Sequence, residues 1–524
     1  MISHKFWDAV TLLLIFLLSL AVLFALVQLI SEGRLLHGYS QMTMRVLNIV
    51  FSLTIFLIII VLVMENGSPV RTLAWILILV YLPIIGFIFY LFFGRNWRKS
   101  RIFSQKGSED IIHLQEHILQ DNLPQGHELK ASDSLTGKLI NLLENNNKAL
   151  LTTDNDVLII PDTQYAFNLM LKEIKTAKEH IHIEYFSLAA DEAGNEFKEA
   201  LIEKAREGVK IRLIYDAVGC WKLPRKYKNS LKKEGVELYP FLPSTFPVLG
   251  SGLNYRNHRK LVIVDNQYAF LGGLNIGNKY LSRNKYFGYW RDSLLFLQGK
   301  CVLSLQAIFL TDWFFVSKQN LLRQYLTKAV PQFTKETVVP GCGIPVQIVS
   351  SGPDSDWESI MQVYFAAITN AQKSVHITSP YLVLNESLLM ALKTAALSGV
   401  EVKLILPSKP DHKIVFWGSR SYYTELLRAG VEIYEYKRGF IHAKVLIVDE
   451  KIVSIGTANM DMRSFNHNFE LNAMLYDKGM AALAEVQFQD DLVNSAQIVL
   501  EDFSKRPFSQ KTLESVCRLF SPLL

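Results

Sequence analysis

The chain is poor in cysteine. Four occur among 524 residues, at Cys220, Cys301, Cys342 and Cys517, with no paired spacing. Neither a disulfide framework nor a zinc site is suggested by that pattern. Also missing is any stretch in which basic and aromatic residues concentrate, as a groove for single-stranded nucleic acid would require. Charge is missing altogether from three long runs at the front: residues 10–30, 46–64 and 73–93, the last with Pro83 and Gly86 inside it. Each can span a bilayer as a helix. For the first run the rival is a cleaved signal peptide, weakened by its length and by the lack of a small-residue cleavage site before Glu32.

The charges that flank these runs give an orientation. Arg95, Arg98, Lys99 and Arg101 follow the third run, Arg34 and Arg45 stand against Glu32 in the first loop, and Glu65 balances Arg71 in the second. By the positive-inside rule the first loop and everything after residue 94 are cytoplasmic. The expectation is a multi-pass membrane anchor over residues 1–100, with the large C-terminal part on its cytoplasmic face. The formal net charge of +6 suits nucleic acid or anionic lipid, and the tether favours lipid.

Behind the anchor, residues 101–150 read as a polar connector with short helices. Strand and helix patterns then alternate, and they do so twice. IHIEYFSL (181–188), EFKEALIEKAREG (196–208) and VKIRLIYD (209–216) are matched by VHITSPYLV (375–383), ESLLMALKTAALSG (386–399) and VEVKLILP (400–407). Two copies of one α/β unit are expected, over residues 151–338 and 339–510, each a largely parallel or mixed sheet covered by helices. The tail, 511–524, places Leu513, Val516, Cys517 and Phe520 on one helical face that could dock on the domain or on the bilayer.

Each copy carries the same short motif. NHRKLVIVD (257–265) holds His258, Lys260 and Asp265, and IHAKVLIVD (441–449) holds His442, Lys444 and Asp449. Asn275 and Asn459 each lie seventeen residues after their histidine. On a strand His258 and Lys260 point the same way, while Asp265 has the opposite parity and opens a turn at DNQ (265–267). The two aspartates therefore read as structural, although they belong to the candidate catalytic motifs. A hairpin should bring Asn275 back beside His258, and Asn459 beside His442, with Gly272, Gly273 and Gly456 allowing close backbone approach.

Joined about a pseudo-twofold axis, the halves would give one pocket with two imidazoles, two ammoniums and two carboxamides. Such a set suits a phosphate diester. Lysines and amides stabilise a five-coordinate transition state, one imidazole attacks phosphorus, and the other moves the proton. No metal or other cofactor is required by this scheme. Asp292 in YWRD and Glu470 in NFELN are the candidates for fixing the imidazole tautomers, with a surface role as the alternative.

These residues resemble the phospholipase D superfamily, whose mark is a duplicated H-x-K-x4-D. LAWILILVYLPIIGFIFYLFFGR, NYRNHRK, GGLNIG, HAK, GTANMDMRSFNHNFELN and the ending FSPLL are similar to bacterial cardiolipin synthases, from about residue 60 onward. The resemblance implies two spans, as in many relatives, where three are counted here. The resemblance implies transfer of a phosphatidyl group from one phosphatidylglycerol to another, giving cardiolipin and glycerol. It also implies that His258 is the nucleophile and His442 the acid and base. Rival functions are a hydrolytic phospholipase D, a tethered nuclease and a non-catalytic scaffold.

Overall fold

The computed structural model describes residues 37–64, 69–82, 86–87, 90, 134–243, 255–327 and 343–521. The chain divides into two units, residues 1–102 with 246–251, and the remainder. In the first unit the helices His37–Met64 and Pro69–Tyr81 pack through Ile55, Ile58, Leu62 and Leu79. Leu53, Phe56, Val63, Leu73 and Leu77 are exposed, so this pair is apolar outside as well as inside. The run 46–64 lies in the first helix, the run 73–93 begins in the second, and residues 10–30 lie outside the described residues. Among the described residues no helix is both long and apolar enough to cross a membrane.

Among the described residues the second unit holds two large sheets with one topology, beside a two-stranded one, Leu382–Val383 with Met460–Asp461. In the first half the strands run in the order Glu237–Phe241, Lys210–Asp216, His180–Tyr185, Lys260–Val264, Tyr268–Gly272, Tyr289–Gly299, Asn155–Asp162. The second half repeats this as Glu432–Tyr436, Glu401–Pro407, Ser374–Thr378, Val445–Val448, Ile452–Gly456, Asn468–Leu475, Val346–Ser351. The first three strands of each set are parallel, because helices such as Glu192–Arg206 and Glu386–Leu397 carry the chain across. The others are antiparallel. At the motif hairpins both central turn residues have positive φ: 52° and 56° at Asp265 and Asn266, 53° and 53° at Asp449 and Glu450. That left-handed pair matches the strand twist.

Two features depart from the sequence expectation. The connector contributes to the second half: Leu139, Ile140 and Leu143 of helix Leu135–Asn147 share its core with Ile360 and Val363. Leu151 pairs with Gln347 in the same half. The halves are therefore interleaved in sequence near residue 150. The tail helix, Phe508–Leu519, turns only Cys517 of the expected face inward. Leu513, Val516 and Phe520 are exposed. The inward stripe is Glu514, Cys517 and Ser521, because the buried Glu514 carboxylate pairs with Arg506 at 2.7 Å.

Candidate active site

Neither motif strand begins at its histidine: the first begins at Lys260 and the second at Val445, one residue after Lys444. The two residues before His258, Arg256–Asn257, pair in parallel with Asn468 and Phe469 of the other half. In the second half Gly439–Ile441 pairs in parallel with Tyr289–Arg291 of the first. Each lead-in is thus a short strand added to the opposite sheet, and each histidine lies where the chain crosses back to its own. The His258 amide donates to the Phe469 carbonyl at 2.9 Å, and the His442 amide to that of Arg291 at 2.7 Å.

This exchange sets the acid partners. His258 Nδ1 lies 2.9 and 3.0 Å from the two oxygens of Glu470, and His442 Nδ1 lies 2.7 Å from Asp292 Oδ2. Each imidazole meets the carboxylate of the other half. Neither acid is a surface group, since Glu470 is 0% and Asp292 1% exposed. An ionised carboxylate only accepts, so Nδ1 of each ring is the donor and Nε2 carries the free lone pair. The contact of Lys444 Nζ with His442 Nδ1 at 2.9 Å is then one of proximity, and its ammonium also donates to the His442 carbonyl. Lys260 Nζ does the same to the His258 carbonyl at 2.7 Å.

Burial governs the electrostatics. It pushes His258 down to about 4, against the pull of Glu470. Burial and then Lys444 push His442 down to about 4, against Asp292. Burial also lowers Lys260 to about 7 and Lys444 to about 8. For the acids burial would raise the pKa, but the facing histidine and lysine outweigh it and hold Glu470 and Asp292 below the ordinary carboxylate range. At neutral pH both imidazoles are therefore neutral. The field is shared across the halves, since Lys444 acts on His258 and Lys260 on His442.

The motif aspartates stand elsewhere. Asp265 accepts from the amides of Lys178, Glu179 and His180 at 2.6, 2.9 and 2.7 Å. Asp449 accepts from those of Gln372, Lys373 and Ser374 at 3.0, 2.7 and 3.1 Å. Each ties the motif hairpin to the segment entering the neighbouring strand. Asp449→Ala removes the acceptor for three amides, and an unsatisfied buried donor costs roughly 1–3 kcal/mol. A loss of about 3 kcal/mol in urea-unfolding stability is the expected result. A loss below about 0.5 kcal/mol would contradict it.

The asparagines are both buried. Asn275 Oδ1 accepts from the Ser187 amide at 3.2 Å, while the buried Asn459 Oδ1 has no hydrogen-bond partner among the described residues. Sequence reasoning missed Thr457 and Asn468, which donate to Glu470 at 2.5 and 3.1 Å. Asn468 shares a strand face with Glu470, which was a usable signal. Gly273 stands in the first half where Thr457 stands in the second. A Cβ there would fall on the Asp292 carboxylate, so the two halves hold their acids differently. Among the described residues no group of three or more His, Cys, Asp or Glu could hold a metal ion.

The family profile described as "Cardiolipin synthase, PLD-like domain" matches residues 170–313 and 364–492, the two halves that share this site. The chain belongs to the cardiolipin synthase family. It is 42% identical to a cardiolipin synthase of Geobacillus sp. (strain WCH70), over 98% of this chain and 99% of the relative. It is 41% identical to the major cardiolipin synthase ClsA of Bacillus subtilis (strain 168), over 91% and 98%. Residues 52–95 match a profile described as "Phospholipase_D-nuclease N-terminal". The crystal structure of a phosphatidylserine synthase from Haemophilus influenzae shares the fold, with TM-score 0.56 and 14% identity over 74% of this chain and all of that one. As a member of the cardiolipin synthase family, the chain is a phosphatidyltransferase of phospholipid synthesis.

Proposed function

We propose that the chain transfers a phosphatidyl group between two phosphatidylglycerol molecules through a phosphohistidine on His258. The observation that carries this reading is the pair of neutral imidazoles, each held by a buried acid of the opposite half and each beside a lysine. The donor's phosphate lies between Lys260 and Lys444. Its negative charge favours protonation of His442, which burial and Lys444 oppose in the free pocket. His258 Nε2 attacks phosphorus, the bond to glycerol oxygen breaks, and His442 gives its proton to that oxygen. Neutral glycerol leaves. His442 then takes the proton of the acceptor's primary hydroxyl as its oxygen attacks phosphorus. The phosphorus–nitrogen bond breaks, cardiolipin departs with its anionic charge, and His442 returns to solvent one proton, equal to the one taken up when the donor bound, so both imidazoles are neutral again. The two ammoniums stabilise the five-coordinate charge in both steps.

The membrane part of the proposal is a multi-pass anchor of three spans, 10–30, 46–64 and 73–93, with the catalytic unit on the cytoplasmic face. The cationic run after residue 94 supports it. The test is mass spectrometry of lipid and glycerol after incubating the purified full-length protein with phosphatidylglycerol micelles. The expected products are cardiolipin and equimolar glycerol. Phosphatidic acid without cardiolipin would make water the acceptor and replace this reading with a hydrolase. In sealed membranes, inverted vesicles should release glycerol outside and right-side-out vesicles should not; the reverse would overturn the orientation.

A further inference from the structure

The first half carries a lysine near the pocket that the reaction above does not use. Lys279 Nζ stands over the rings of Phe287, Trp290 and Tyr280 at 4.7, 5.0 and 5.5 Å. Trp290 in turn packs 5.2 Å from the ring of His442. One indole therefore separates this ammonium from the imidazole assigned as acid and base. Asp411 attracts Lys279 without pairing with it directly, and the same carboxylate attracts Lys444. Asp411 is itself held by the Tyr381 hydroxyl at 2.6 Å. Lys279 is only partly buried, so a ligand can reach it.

An aromatic cage could serve only to pack a lysine stem, and cation–π contact is a common structural device. The reaction gives this cage a further use. Both substrates are monoanionic diesters, and the charges of Lys260 and Lys444 are already offset by the buried carboxylates of Glu470 and Asp292, so the pocket holds no surplus positive charge for a second phosphate. The acceptor brings its own phosphate, three carbons from the hydroxyl that attacks. In the low-dielectric mouth of the pocket that second charge repels the first. A cation is needed a few ångströms outside the phosphate pocket, on the side of the base that deprotonates the acceptor. Lys279 is one indole away from that base, and the flat rings around it hold the charge without neutralising it.

We infer that Lys279 forms a second anion subsite, which receives the phosphodiester of the acceptor lipid. The inference rests on the proposed transfer between two phosphatidylglycerols. It separates recognition of the acceptor from chemistry at the donor.

The test uses the full-length protein in phosphatidylglycerol micelles with ethanol added as a neutral competing acceptor. Cardiolipin and phosphatidylethanol are measured together in wild type, Lys279→Met and Lys279→Arg. In Lys279→Met the ratio of cardiolipin to phosphatidylethanol should fall about tenfold, as loss of one charge-assisted phosphate contact implies. Because competing acceptors partition by kcat/KM, the fold-change in the ratio should hold at every phosphatidylglycerol concentration; without ethanol the loss of cardiolipin rate should narrow as phosphatidylglycerol is raised, a KM effect, and Lys279→Arg should restore most of the ratio. An unchanged ratio would overturn the inference. So would an equal fall in both products, which would make Lys279 a support for Trp290 and His442. Failure of the underlying reading looks different, because wild type itself would then make no cardiolipin.

Discussion

With a donor whose leaving group needs no proton, such as phosphatidyl-p-nitrophenol, His442→Asn is expected to release one nitrophenolate per enzyme in a burst and then stall. The stalled enzyme should carry the phosphatidyl group on His258, located by mass spectrometry of a peptide containing residue 258. The logic is the separation of two jobs. The first step needs a lone pair at His258 Nε2 and, for an alcohol, a proton from His442. An activated leaving group removes the second requirement, while the following step still needs a base for the incoming hydroxyl. His258→Asn should show no burst, and its turnover should fall by about 10⁴-fold or more with either donor, the scale for loss of a nucleophile. Phosphate on His442, or a burst from His258→Asn, would reverse the roles of the two halves.

Much of this site is legible in the sequence because it is written twice. The turn after Val264 and Val448 and the turn position of the aspartates are local properties, and the hairpins realise them, while the histidines lie just before the strands. The partner of each imidazole is not local. Asp292 and Glu470 reach their histidines because two short strands, Arg256–Asn257 and Gly439–Ile441, cross to the other sheet. Strands of two or three residues leave no periodicity to read, and their partners are 150 and 212 residues away. Helix Leu135–Asn147 hid for another reason. Its apolar residues match a core built largely from residues after 343, and nothing near them in sequence shows it. The tail misled because a buried acid paired with Arg506, rather than an apolar stripe, faces the domain.

The crossed pairing makes the two acids separable by experiment. Glu470→Gln keeps the size of the side chain but turns an acceptor toward Nδ1 into an amide that can donate. With a donor at that position, His258 is driven to the tautomer protonated at Nε2, and the lone pair that attacks phosphorus is lost. Turnover should drop about 10³- to 10⁴-fold, the scale seen when a carboxylate that orients a catalytic imidazole becomes an amide. The drop should be nearly the same for phosphatidylglycerol and for the nitrophenyl donor, because both need the nucleophile. Asp292→Asn acts on His442. It should slow glycerol release from phosphatidylglycerol by a similar factor yet leave the nitrophenolate burst largely intact, since that departure needs no acid. The measurement is the pre-steady-state rate of each variant with each donor, alongside urea unfolding to show that both proteins fold. If each acid served the histidine of its own half, the two patterns would exchange. If the carboxylates were only structural, both variants would lose stability and their remaining folded fraction would react at the wild-type rate. Two donors and two conservative variants thus read out a connection that the fold makes across more than a hundred residues of chain.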